Sequence, residues 1–291
     1  YSPLESVPFL DQLHLGYLFC LSFSGFSIAE KRPFVYSQNT QQICEFFYYH
    51  LWVILCYNRT VGAFERSFFV KANRRGSISL RRFRSYDNAE FSFSPGVNII
   101  CGDNGKGKTN LLEAIWLFTG GHSFRGTKDA ELPRLIDGKN ADSASLSMSL
   151  FTEGREQELQ LYFKNGRRTS VINGVEKKTG SALVGKFCAV IFSPEHLLLV
   201  KEGPARRRAF IDGALCQAKP AYARVLANYN KALLQRNALL KDMVRHPELR
   251  DTLDIWDERL VLFGTQLTLE RIAFCRLLAP KATEIYDGIA K

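Results

Sequence analysis

The chain has 291 residues, which fits one large domain or two modest ones. With 46% hydrophobic and 23% charged residues its composition is ordinary for a globular protein, so wholesale disorder and collagen-like order are excluded. Thirty-nine Lys and Arg against 29 Asp and Glu leave +10, which suits a polyanionic partner, with nucleic acid first and an acidic membrane surface second.

Residues 1–74 hold 17 of the 36 aromatics but only 3 of the 21 glycines, with 6 basic and 5 acidic side chains. Residues 75–291 therefore carry 33 basic against 24 acidic groups, or +9 of the +10. The apolar runs 15–24 and 46–57 fall well short of the ~20 apolar residues of a membrane span. A signal peptide would begin with basic residues, and Tyr1-Ser2-Pro3-Leu4-Glu5 has none. No membrane association is expected. The first methionine is Met148, and no chemical motif precedes residue 75. The seven cysteines include no C-x-x-C pair and sit mostly among apolar neighbours, which suits buried thiols in a reducing cytosol rather than disulfides or zinc. A cytoplasmic location is the expectation.

From residue 77 the pattern becomes regular. Segments 77–83 and 90–93 predict short strands around a turn at Ser85-Tyr86-Asp87-Asn88, and 97–101 predicts a buried strand after the Pro95-Gly96 turn. Next comes Gly102-Asp103-Asn104-Gly105-Lys106-Gly107-Lys108-Thr109, followed by 110–118 with helical spacing of Leu111 or Leu112, Ile115 and Phe118. This is G-x-x-x-x-G-K-T between a strand and an amphipathic helix, the context that a phosphate-binding loop requires. The glycines allow a tight bend that turns successive N–H groups toward phosphate oxygens, and the helix adds its positive N-terminal end. Lys108 would reach the β- and γ-phosphates of ATP, and the Thr109 hydroxyl would ligate Mg2+.

Further along, 144–151 and 157–163 predict strands, Asn165-Gly166 and Asn173-Gly174 predict hairpin turns, and 187–192 predicts another apolar strand. Beyond Pro220 the period becomes helical. Tyr222, Leu226, Tyr229, Leu233 and Leu240 form one apolar seam, and Leu253, Trp256, Leu260, Phe263, Leu267 and Phe274 form another, so two antiparallel helices are expected. Arg81, Arg82 and Arg84 cluster in the first hairpin, and Arg206, Arg207 and Arg208 in one loop. Both clusters are candidates for contact with DNA phosphates, against the plainer reading of a solvated charged surface.

Several passages resemble the bacterial RecF family, which is related to the SMC and ABC-type ATPases. They are Leu80-Arg81-Arg82-Phe83-Arg84-Ser85-Tyr86, the loop through Ile115, Ser123-Phe124-Arg125, and Phe192-Ser193-Pro194-Glu195-His196-Leu197, where His196 replaces the usual Asp. Gly203-Pro204-Ala205-Arg206-Arg207-Arg208, Phe210-Ile211-Asp212 and the segment from Tyr229 to Arg236-Asn237 continue the match, which covers about 77–291. The resemblance implies an α/β fold: a P-loop ABC/SMC-type ATPase head with an antiparallel β-layer and the beginning of a helical, coiled-coil-like second domain. It implies ATP and Mg2+ as ligands and weak DNA-dependent ATP hydrolysis. It also implies single-stranded DNA and single-strand/duplex junctions as partners, with the RecO and RecR mediators and an ATP-dependent homodimer when full length. The role implied is recombinational repair and replication, with recombinase loading and the SOS response. Arg84 would alternatively lie beside the nucleotide.

An L-S-x-G-Q signature and an apolar run ending in Asp-Asp or Asp-Glu are both absent; Leu117-Phe118-Thr119-Gly120-Gly121 and Phe210-Ile211-Asp212 do not qualify. The family carries them after its helical insertion, so the chain reads as C-terminally truncated. The expected division is 1–74 without a family match, 75–218 as the ATPase lobe, and 219–291 as an incomplete helical arm. Segment 1–74 reads as upstream sequence, or alternatively as a true N-terminal domain. A small-molecule kinase or transferase, and an inactive nucleotide-binding fragment, are the competing functional readings.

Overall fold

The structure, a computed structural model, describes residues 51–56, 68–72, 75–136, 138–152, 155–192 and 198–289. The run 15–24 and residues 193–197, including His196, lie outside the described residues. In chain order the strands are β1 (Leu51–Cys56), β2 (Phe68–Ala72), β3 (Gly76–Phe83), β4 (Tyr86–Phe93) and β5 (Gly96–Ile100). Helix α1 (Lys108–Leu117) follows, then β6 (Leu135–Ile136), β7 (Lys139–Asn140), β8 (Ser143–Thr152), β9 (Arg155–Lys164), β10 (Arg167–Ile172), β11 (Val175–Lys177) and β12 (Cys188–Phe192). Helices α2 (Leu198–Lys201), α3 (Pro204–Ala218), α4 (Pro220–Asp242) and α5 (Leu253–Ile289) complete the chain.

Six strands form an antiparallel sheet in the order β11-β10-β9-β8-β3-β4. Its two-residue periodicity is plain in β9, where Leu159, Leu161 and Phe163 are at most 1% exposed while Glu158, Tyr162 and Lys164 face solvent. Ile78, Leu80, Leu146 and Met148 share that inner face, which packs with α1 into one core. Each fully buried aliphatic side chain contributes about 1.5–3 kcal/mol. The Asn165-Gly166 and Asn173-Gly174 turns appear as expected, with φ of 52° and 70° in the first and 49° and 78° in the second. Positive φ at both positions is what a two-residue hairpin with right-handed strand twist demands.

The structure departs from the sequence-based expectations at several points. The first hairpin turns at Arg84-Ser85, and β4 begins at Tyr86, because Arg82 and Arg84 adopt φ of 50° and 53° and tighten the connection. Strand β5 is not buried: Val97 is 55% and Ile99 59% exposed. It ends the four-stranded order β12-β1-β2-β5, with β2 as its neighbour, while Ile100 reaches the core. Helix α1 is not amphipathic, since Leu111 through Ile115, Leu117 and Phe118 are all buried, Glu113 among them. Finally, Arg206, Arg207 and Arg208 lie in the first turns of helix α3 rather than in a loop.

The chain divides into two compact units, Tyr1–Arg206 and Arg207–Lys291, so most of α3 belongs with the helical arm. In that second unit α4 and α5 pack along each other, with ion pairs Lys219–Glu270 and Arg236–Asp257 joining them. The α5 seam holds, with Leu267 and Phe274 buried. The α4 seam departs from expectation after Tyr229. Ala232 is 2% exposed and Arg236 turns toward Asp257, whereas Leu233 and Leu240 are exposed, because a straight helix drifts off a strict heptad seam.

Candidate nucleotide-binding site

The loop 102–109 joins the end of β5 to the start of α1, and its glycines carry the bend. Gly102, Gly105 and Gly107 have φ of 147°, 78° and 92°, and Gly107 has a second constraint. A Cβ there would lie 2.5 Å from the Ser85 hydroxyl and 3.0 Å from the Tyr86 ring, so the first hairpin presses directly on the loop. Tyr86 donates its hydroxyl hydrogen to the Gly107 carbonyl at 3.0 Å, and Asn110 donates to Ser85 Oγ at 2.9 Å. Burial pushes the Tyr86 hydroxyl pKa above its usual value, so it remains a donor.

Helix α1 begins at Lys108 without a side-chain cap, and its first turn contains no acidic residue. Its first amides therefore lack intrahelical acceptors and point toward the loop, which is the arrangement that holds an anion. Lys108 is 8% exposed, and its ammonium donates to the carbonyls of Gly102 and, at 2.8 Å, of Asp103. Asp103, Asn104 and Lys106 are exposed on the rim, and Thr109 is half-buried in the first helical turn. Positive-φ glycines, a helix start without a side-chain cap and an adjacent ammonium fit a polyphosphate. Among the described residues no group of three or more His, Cys, Asp or Glu side chains is placed to hold a metal ion.

Behind the loop stands a residue that the sequence reading passed over. Glu113 is 0% exposed in the middle of α1. Arg84 reaches it from the hairpin turn through two parallel bonds, Nε to Oε2 at 2.9 Å and Nη2 to Oε1 at 2.7 Å. Ser123 and Thr127 donate to the same carboxylate, and Arg125 lies 3.6 Å away while donating to Asn110 Oδ1 at 3.1 Å. Burial alone would raise the Glu113 pKa. The bonds from Arg84 and Ser123, with the charges of Arg84 and Arg125, outweigh it and hold the carboxyl below its usual range. An acid inside Leu111-Leu112-Glu113-Ala114-Ile115 was a visible signal, since a buried charge in an apolar helix needs a dedicated partner.

Arg84 is thus turned inward and separated from Arg81 and Arg82, which remain exposed. Arg206, Arg207 and Arg208 are exposed at the N-terminal end of α3, with Arg206 ion-paired to Glu202. Asp212, part of the apolar-Asp passage, lies within α3 and is committed to Arg271 through two 2.8 Å bonds and to the Tyr222 hydroxyl.

A family model described as an AAA domain matches residues 77–225. The DNA replication and repair protein RecF of Lachnoclostridium phytofermentans is 41% identical over 201 residues, covering 69% of this chain and 55% of the relative. That of Agathobacter rectalis is 40% identical over 215 residues, covering 74% and 58%. A solved structure described as the recombination mediator protein RecF with ATP in the RecFOR pathway superposes with a TM-score of 0.65 at 34% identity, covering 70% of this chain and 55% of that one. The chain spans just over half the length of the curated relatives it matches.

Proposed function

The chain is a RecF-like member of the AAA-domain family, and on that premise we propose that it binds ATP at 102–109 and DNA through its basic surface, in the service of DNA replication and repair. The observation that carries this reading is the uncapped start of α1 facing the positive-φ glycines, with Lys108 beside it. Gly102, Asp103, Asn104, Gly105, Lys106 and Gly107 form the cradle, Lys108 neutralises phosphate charge, and Thr109 holds Mg2+ with the phosphates. The likeness to a RecF structure described with ATP supports this assignment.

For DNA, the exposed Arg81, Arg82, Arg206, Arg207 and Arg208 supply phosphate contacts. The last three crowd cations onto the positive end of a helix, an arrangement unfavourable by tenths of a kcal/mol each that a bound phosphate would offset. Single-strand/duplex junctions as the preferred DNA, RecO and RecR as partners, ATP-dependent pairing of two copies and a cytoplasmic setting belong to the same proposal. Among the described residues no helix is long and apolar enough to cross a membrane. Asp212 is held by Arg271 and Tyr222 and is not offered as a group that positions attacking water. A kinase or transferase reading is not favoured, since the relatives matched are DNA replication and repair proteins.

The test is titration with a fluorescent ATP analogue in the presence of Mg2+. Replacing Lys108 with Ala removes a charge-assisted phosphate contact and should weaken binding by roughly 100-fold. Thr109→Ala should weaken it only when Mg2+ is present. Unchanged affinity in Lys108→Ala would remove the assignment.

A further inference from the structure

The outer face of the six-stranded sheet is polar, and strand register sorts its charges by sign. Ser77 and Ser79 of β3 and Ser143, Ser145, Ser147 and Ser149 of β8 form its floor, since their alternate neighbours Ile78, Leu80, Leu146 and Met148 are buried. At one end Glu90 pairs with Ser79, Glu158 with Ser149 and Glu156 with Phe151, around a groove of about 440 Å³. At the other end Arg81 pairs with Ser145, which pairs in turn with Tyr162, and the next row is Ser143, Lys164 and Arg167. Arg81, Lys164 and Arg167 are exposed, and Tyr162 is 41% exposed with its hydroxyl donating to Gln160. Asp142 is the exposed acid that borders this end.

We infer that this basic end, Arg81 with Lys164 and Arg167 around Tyr162 on a serine floor, is a docking surface for the DNA phosphate backbone. The inference rests on the DNA-binding reading above and adds two residues, Lys164 and Arg167, that no motif marks. Charge complementarity selects the occupant. Three cations on one face of a hydrogen-bonded sheet gather positive charge, the serine hydroxyls can donate to phosphate oxygens, and the exposed ring suits contact with sugar. The carboxylates of Glu90, Glu156 and Glu158 repel the same polyanion, so the duplex is confined to one end of the face and given a direction across it. Phosphate contacts carry no sequence information, and binding here is indifferent to sequence.

The test titrates the full chain against two duplexes of unrelated sequence at several salt concentrations. The double change Lys164→Ala with Arg167→Ala should weaken both duplexes alike, roughly tenfold or more at 0.1 M salt. It should flatten the slope of log K against log salt by up to about 1.8, at about 0.9 for each phosphate released. Lys164→Arg with Arg167→Lys, which keep the charge, should restore both quantities, and Glu90→Gln with Glu158→Gln should strengthen binding several-fold. If the parent binds and the double change leaves affinity and slope as they were, the docking surface is elsewhere and the broader reading survives. If the parent binds neither duplex at any salt concentration, the DNA-binding reading falls and takes this surface with it. A strong preference for one duplex would equally overturn the backbone assignment.

Discussion

Glu113 in the first unit and Asp212 in the second are both acids gripped by an arginine through two parallel bonds, and they sit in different electrostatic settings. Glu113 is fully buried in the helix that follows the 102–109 loop and faces two arginines, Arg84 and Arg125, with Ser123 and Thr127 completing its shell. Asp212 has a side chain 14% exposed, and a single arginine, Arg271, with the Tyr222 phenol. The Glu113 cluster therefore retains an excess positive charge behind the candidate phosphate site, while the Asp212 cluster is balanced and serves as a strut between α3, α4 and α5. A buried carboxylate near a ligand site and one in a helical bundle share a geometry but not a purpose.

The largest effect expected is from Glu113→Ala, which strands Arg84 in the interior and should destabilise the first unit by about 3–5 kcal/mol in denaturant unfolding. The comparison fails if this change costs no more than its counterpart in the arm. That counterpart, Asp212→Asn, weakens the bonds to Arg271 and Tyr222 and should cost about 1–3 kcal/mol. It carries a second readout. Cys216 has a thiol pKa raised to about 11 by burial and, after that, by the Asp212 charge, so its titration should move down in Asp212→Asn.

Acid sharpens the contrast. Because the folded pKa of Glu113 is depressed, its contribution is complete above the unfolded carboxylate value of about 4.3 and disappears as pH falls through the lower folded value. The difference in unfolding free energy between the parent and Glu113→Gln should therefore be constant near neutrality and shrink below about pH 4. A difference that grew on acidification would reverse the sign and refute the cluster. The smallest effect belongs to the α4 surface. Leu233→Gln should change stability by less than about 0.5 kcal/mol, whereas Ala232→Gln at the adjacent buried position should cost several times more.

The loop and the two Asn-Gly turns were legible because their grammar is local, written in residues whose backbone preferences fix φ without help from the rest of the chain. The Glu113 shell was not, since Arg84 and Thr127 lie 29 and 14 positions away and meet it only once the sheet packs on α1. Lys164 and Arg167 were invisible as partners of Arg81 for a related reason. Their common face depends on register carried through β3, β8, β9 and β10, and a slip of one residue would send them inward. The exposed Val97 and Ile99 show the converse: apolar content implies burial only when something is stacked on that side, and periodicity cannot supply the neighbour.

Lys108 already gives two of its hydrogens to the carbonyls of Gly102 and Asp103, so on the proposed reading a nucleotide would not arrive at an unengaged cation. It would enter an exchange in which phosphate oxygens displace main-chain oxygens, and the gain would be the difference between full and partial negative charge. A triphosphate should outcompete a diphosphate by a wide margin, a monophosphate by more, and an uncharged nucleoside should gain nothing from this lysine. On the proposed reading the loop would thereby rank its ligands by charge density.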